Sequence, residues 1–152
     1  MAAGERVLAS SESVDGVVLA GSRDALYVGS DPVQRVPWER VEAADWDRDD
    51  LVFRLSLVGE WGEEKVVHCF GLTGPGRLLE LVRERVTASI VLQRHVPLAG
   101  RRGVRVIGRR PPRGTGEIDW FFEYDEDVDP GDPAVREASV TALAAAKADV
   151  GL

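Results

Sequence analysis

TGPGRLLELVRERVTASIVLQR, Thr73 to Arg94, is where the chain changes its period. Before it, apolar residues alternate one by one. Within it they recur at three- and four-residue steps: Leu78, Leu81, Val82, Val86 and Ile90 form one stripe, while Arg77, Glu80, Glu84 and Arg85 fall off it. An amphipathic helix with one face on a core has this pattern. Thr73 is placed to cap it, and Pro75 to sit in its first turn, where a missing N–H costs nothing. The helix is expected to end near Leu92, although SIVLQRHV also suits an extended chain.

Upstream of the helix the sequence reads as short strands. GVVLAG (Gly16 to Gly21), the turn SRD and ALYVGS (Ala25 to Ser30) make a hairpin-like pair. RVPWERVEAADWD follows, with Val36, Trp38, Val41 and Trp46 facing inward and a break near Glu39 and Arg40. DRDD (Asp47 to Asp50) is a polar turn. LVFRLSLV sets Leu51, Phe53, Leu55 and Leu57 against Val52, Arg54, Ser56 and Val58, the period of a half-buried strand. GEWGEE turns the chain again, and KVVHCFGL (Lys65 to Leu72) is a further strand.

Downstream, GVRVIGRR (Gly103 to Arg110) and EIDWFFEYD (Glu117 to Asp125) flank the turn PPRGTG. One antiparallel register suits both faces of this hairpin. With Arg109 opposite Asp119, Arg105 meets Glu123 and Ile107 meets Phe121, while Val104, Val106 and Gly108 meet Tyr124, Phe122 and Trp120 on the other side. A slip of one residue would mix the faces. Asp132 and Pro133 then read as N-cap and first position of a C-terminal helix, whose stripe is Val135, Ala138, Ala142, Leu143 and Ala146.

The succession ALYVGS, RVPWERVEAADWDRDDLVFRLSLV and KVVHCFGLTGPGRLLELVRERV resembles the bacterial pleckstrin-homology-like domains over about residues 10–93. That resemblance implies an open antiparallel barrel capped by one helix. VPWERVEAADWD is similar to the segment entering the second sheet of such domains, and PGRLLELVRERV to their capping helix. The chain as a whole resembles a group of actinobacterial proteins that share the DWFFEYDEDVDPGDPAVRE type of ending, a group from which no activity carries over. Eukaryotic relatives hold lipid headgroups on a basic loop between the first two strands. Here that loop is AGSRD, with Arg23 beside Asp24, so phosphoinositide binding is not expected.

With 44% hydrophobic and 30% charged residues the composition is that of an ordinary globular protein, and 152 residues suffice for one core or for one domain with a small appended unit. The first residues contain an early acid and no apolar segment, so no secretory signal is expected, and no apolar run is long enough to cross a bilayer. A lone cysteine, Cys69, suits a reducing cytoplasm. The net charge of −7 is unevenly placed: residues 1–76 carry −7, residues 77–110 carry +7 and residues 111–152 carry −7.

From Val86 to Gly116 there is no acid, while Arg94, Arg101, Arg102, Arg105, Arg109, Arg110 and Arg113 accumulate. Guanidinium groups gathered this way suit phosphate-rich ligands or an acidic protein surface. Arg105 and Arg109 are matched by the hairpin register, which leaves Arg94, Arg101, Arg102, Arg110 and Arg113 as candidate partner- or anion-binding residues. The acidic run Asp125, Asp127, Asp129 and Asp132 has the first three spacings of a calcium loop. It has Pro130 where that loop needs Gly and Arg136 where it needs a bidentate Glu, so it reads as a turn before a helix. His68 and Cys69 are neighbours on a strand and point to opposite faces, which excludes a dyad. GLTGPGR lacks the Lys-Ser/Thr of a phosphate loop, and His95 stands alone.

The expected fold is therefore α+β: an antiparallel barrel with a capping helix over 1–94, then a hairpin and C-terminal helix over 95–152, with the boundary in HVPLAGRRG. The expected function is a non-catalytic cytoplasmic binding or scaffold protein acting by protein–protein contact, without cofactor, metal or membrane. The alternative is anion or nucleic-acid binding through 94–113.

Overall fold

The computed structural model describes residues 5–29, 32–58, 66–74 and 76–152, save the side chain of Ala99. Ser30, the turn GEWGEE, Lys65 and Pro75, all assigned places above, lie outside the described residues. Among the described residues the chain is α+β, with ten strands in three antiparallel sheets and two α-helices. None of these helices is long and apolar enough to cross a membrane. The chain divides into two compact units. The first takes residues up to 58, 66–89 and 111–115; the second takes 90–110 and 116–152.

In the first unit, β1 (Ala9–Glu12), β2 (Val18–Gly21), β3 (Ala25–Val28) and β4 (Gln34–Pro37) form a meander in sequence order. The β2–β3 turn is fixed by Ser22, whose Oγ accepts from Asp24 N at 3.3 Å and Ala25 N at 3.1 Å. At the expected break the chain makes a 3-10 turn, Trp38–Arg40, and sets off as β5 (Val41–Asp47). β6 (Val52–Leu57) and β7 (Val66–Gly71) complete a second meander, β5-β6-β7. The DRDD turn closes on Asp47 Oδ1, which accepts from the N–H groups of Asp49 and Asp50 at 3.0 Å each. Leu51 adopts a left-handed backbone, φ 55°, and is exposed, so the turn takes the residue expected to open the strand. Phe53 and Leu55 keep the alternation and are fully buried.

Helix α1 (Gly76–Ser89) puts Leu78, Leu81 and Val82 into the core with Trp38, Val41, Leu19 and Leu26. Burying each such side chain contributes about 1.5–3 kcal/mol. Trp38 is wholly enclosed, and its Nε1–H donates to Ser22 O at 2.9 Å. Gly21 lets α1 approach β2, since a Cβ there would lie 2.5 Å from Leu81 Cδ2 and 3.2 Å from the Trp38 ring.

The helix stops at Ser89, short of the expected Leu92, and Ile90, expected on its stripe, opens β8 (Ile90–Ala99) instead. Ser89 Oγ donates to Val86 O at 2.6 Å, a local bond that competes with continued helix, and β-branched Ile90 and Val91 favour the strand. The stretch read as a boundary is thus the far end of β8 and a turn at Gly100, φ 62°, into β9 (Arg102–Arg109). With β10 (Asp119–Tyr124) the expected hairpin is a three-stranded sheet, β10-β9-β8.

The register of β9 and β10 is the one the two faces demand: Arg109↔Asp119, Ile107↔Phe121, Arg105↔Glu123 and, on the other side, Gly108↔Trp120, Val106↔Phe122 and Val104↔Tyr124. Helix α2 (Pro133–Asp149) covers that second side, with Ala142 and Ala146 against Val106 and with Leu92, Val96, Trp120, Phe122 and Leu143 around them. Asp132 caps the helix by accepting from Ala134 N at 2.9 Å, with Pro133 as its first residue.

Candidate functional site

Three of the candidate arginines have separate local partners. Arg94, on β8, is ion-paired with Asp149 near the end of α2. Arg102, at the start of β9, is paired with Asp127 of the following turn. Arg113, within the first unit, lies 3.3 Å from Asp24 Oδ2. Arg101 and Arg110 make no hydrogen bond or ion pair among the described residues, and they stand at opposite ends of β9. Arg109 is enclosed at 3% exposure opposite Asp119. Arg105 sits between His95 and Glu123 across the three strands. Three of the five candidates therefore already have carboxylate partners, at exposed positions where each pair contributes about 0–1 kcal/mol.

The acidic run is equally dispersed. Asp125 Oδ2 accepts from Gly103 N at 2.8 Å and lies 2.7 Å from His95 Nε2, while Asp125 N donates to Gly103 O at 3.0 Å. The bond to His95 and then the Gly103 N–H hold the Asp125 carboxyl below its ordinary range. Asp127 meets Arg102, Asp129 Oδ1 accepts from Gly131 N at 2.8 Å, and Asp132 caps α2. Four aspartates that look like one ligand set in sequence point to four different partners. No three His, Cys, Asp or Glu side chains gather as a metal site among the described residues.

Other titratable groups are tuned by their local bonds. The N–H groups of Asp50 and Asp49 hold the Asp47 carboxyl low, and burial pushes the Tyr124 phenol up against the bond to Ser139. His68 stacks near Phe70 with ring centroids 6.3 Å apart, and Cys69 is exposed on the opposite face of β7. A shallow groove between α1 and β5 is lined by Ala43, Ala44, Val82 and Val86, with Glu42, Arg83 and Thr87 at its sides.

The sheet edges differ more than the charges do. Unpaired strand edges invite pairing, and proteins blunt them with charge, Pro, bulges or brevity. Among the described residues, β1 is four residues long with Glu12; β4 holds Arg35 and ends in Pro37. β5 carries Glu42, Asp45 and Asp47 and a bulge between Val41 and Ala43. β8 has Arg94, Pro97 and two register shifts, and β10 alternates in Asp119 and Glu123. β7, VVHCFG, has no Asp, Glu, Lys, Arg or Pro and pairs with β6 without a shift. Val66 and Val67 are each 50% exposed. Val14 N donates to Gly71 O at 2.8 Å and covers only that end.

Sequence reasoning located β7 as a strand, but the identity of an edge is a property of topology and has no local signal. A second feature, the contacts of Glu5 on the first sheet, likewise joins residues up to thirty positions apart. Compared with known proteins, the chain matches no family model, and neither a curated protein nor a solved structure matches it.

Proposed function

We propose that the chain is a non-catalytic binding or scaffold module of the cytoplasm, acting by protein–protein contact, and that the β7 edge receives an extended strand from its partner. The observation that carries this reading is the contrast among edges: β7 alone among the described edges lacks charge, Pro, bulge and short length, and it presents Val66 and Val67 to solvent. Strand addition draws affinity from the backbone ladder and specificity from alternate side chains. A pleckstrin-homology-like architecture for the first unit is part of the same reading. It is supported by two consecutive meanders followed by one helix that packs on β1, β2 and β5.

The test is selection of extended peptides from a random library on the immobilised chain. Selected peptides should be rich in alternating apolar residues and should bind the Val66→Lys, Val67→Lys double variant at least tenfold more weakly, with its melting temperature little changed. Peptides that bind both forms equally would remove β7 as the site. The anion reading rests on Arg101 and Arg110. Fluorescence polarisation with oligonucleotides should show no steeply salt-dependent binding sensitive to Arg101→Glu; such binding would favour that alternative.

A further inference from the structure

Glu5 is unusual in what it buries. Its side chain is 8% exposed, yet the residues that follow it, Val7 and Leu8, are 41% and 44% exposed. Ordinary packing buries the apolar residues of a segment and leaves its acid in water. Here the carboxylate is enclosed. Glu5 Oε1 lies 3.1 Å from Ser22 Oγ and 3.1 Å from an Arg35 terminal nitrogen, and the Tyr27 hydroxyl donates to Oε2. A hydroxyl, a phenol and a guanidinium, from the β2–β3 turn, β3 and β4, thus converge on one carboxylate.

The donors are aimed by contacts that do not involve Glu5. Ser22 is fully buried, and its Oγ is fixed by the N–H groups of Asp24 and Ala25 and shares its proton with Ala25 O at 3.2 Å. Trp38 Nε1–H holds its carbonyl at 2.9 Å. Tyr27 is 6% exposed; Arg35 Nε donates to its hydroxyl at 3.1 Å, and the guanidinium carbon lies 6.0 Å from the centre of its ring. A preorganised set of donors binds an anion with little ordering cost, and the charged donor strengthens each bond.

We propose that Ser22, Tyr27 and Arg35 form a carboxylate-binding cradle, which Glu5 occupies in cis and which takes a carboxylate of an acidic peptide when Glu5 leaves it. The cradle lies on the β1–β4 sheet and does not depend on the β7 reading. The shared chemistry is a carboxylate, supplied by an acidic side chain or by a chain terminus.

The test is rescue in trans. The Glu5→Ala variant is melted with increasing acetate and with chloride at equal ionic strength. Acetate at about ten times its Kd should shift the unfolding equilibrium roughly elevenfold toward the folded chain. Chloride should not, and adding Arg35→Ala should abolish the shift. Amide signals of Ser22, Tyr27 and Arg35 should move with the same saturation. Two peptides distinguish the source, one with an internal glutamate and an amidated end, the other without acids and with a free carboxyl end. Should Glu5→Ala fail to fold alone, folding in acetate but not in chloride supports the cradle, and failure in both overturns it. Equal effects of acetate and chloride, or a response that survives Arg35→Ala, would also overturn it.

Discussion

Replacing Gly103 by alanine tests how β8, β9 and the turn after β10 are held together. A Cβ at Gly103 would lie 1.9 Å from Val96 O and 2.8 Å from Pro97 Cα. Carbon and oxygen rest at about 3.3–3.6 Å even in close strand contacts, so the β8 backbone must retreat by more than ~1 Å. Both obstructing atoms belong to backbone, and no rotamer change relieves them. Overpacking of this kind costs about 1–3 kcal/mol. The retreat also strains the two bonds that tie Gly103 to Asp125, each contributing about 0.5–1.5 kcal/mol. A loss of about 3 kcal/mol follows. With a urea slope of about 2 kcal/mol/M, the midpoint should fall by roughly 1.5 M. Urea titration followed by circular dichroism and by tryptophan fluorescence, to which Trp120 of the same sheet contributes, reads the change. Gly100→Ala is the control: its φ is 62° with no atom within 4 Å, so only backbone strain of about 1 kcal/mol is expected. A Gly103→Ala midpoint within a few tenths of a molar of the parent would refute the close approach and the argument built on it.

Trp38→Phe keeps a ring in the core but strands Ser22 O, so a loss of about 2–4 kcal/mol is expected by calorimetry, from the orphaned acceptor and the vacated volume together. A variant as stable as the parent would show that the carbonyl finds another donor. Asp125 is held ionised below the usual carboxylate range, so its contribution is present above the unfolded value of about 4 and disappears as pH falls through the lower folded value. Asp125→Asn should therefore be less stable at neutral pH and flatter in its pH dependence from about pH 4 downward. Parallel pH–stability curves for the two proteins would contradict the assignment.

What could be read from the sequence was whatever a local pattern over-determines. The β9–β10 register was legible because charge matching on one face and apolar matching on the other agree on a single alignment. Asp132 was legible because capping is a local act. β8 was not, since SIVLQRHV satisfies helix and strand patterns alike and only its pairing with β9 decides between them. The ion pairs of the arginines were not legible for a similar reason. Their carboxylates, Asp149, Asp127 and Asp24, come from the end of α2, a turn and the β2–β3 loop, and no spacing in the sequence announces those meetings. The cradle around Glu5 required the register of β3 on β4 before Tyr27 and Arg35 became neighbours.

At Ala142 and Ala146 the contact between α2 and its sheet is made by small residues on the helix side, beside Leu143. Ser139, Ala142 and Ala146 are the buried positions of α2; Ala142 and Ala146 pack with Val106 and the rings of Trp120 and Phe122, while Ser139 Oγ accepts from the Tyr124 hydroxyl at 3.3 Å. Trimming those helix residues removes little, whereas enlarging them drives the helix away from the strands. The opposite holds for β9 and β10, where truncation opens a void. In a saturation scan the two sides of this one interface should thus fail in opposite directions of residue size. Ala142 and Ala146 would accept serine but reject leucine, and the sheet side would accept leucine for phenylalanine sooner than alanine. Drift in this family of positions is then constrained asymmetrically, and paired changes that move volume from strand to helix are the ones it should admit.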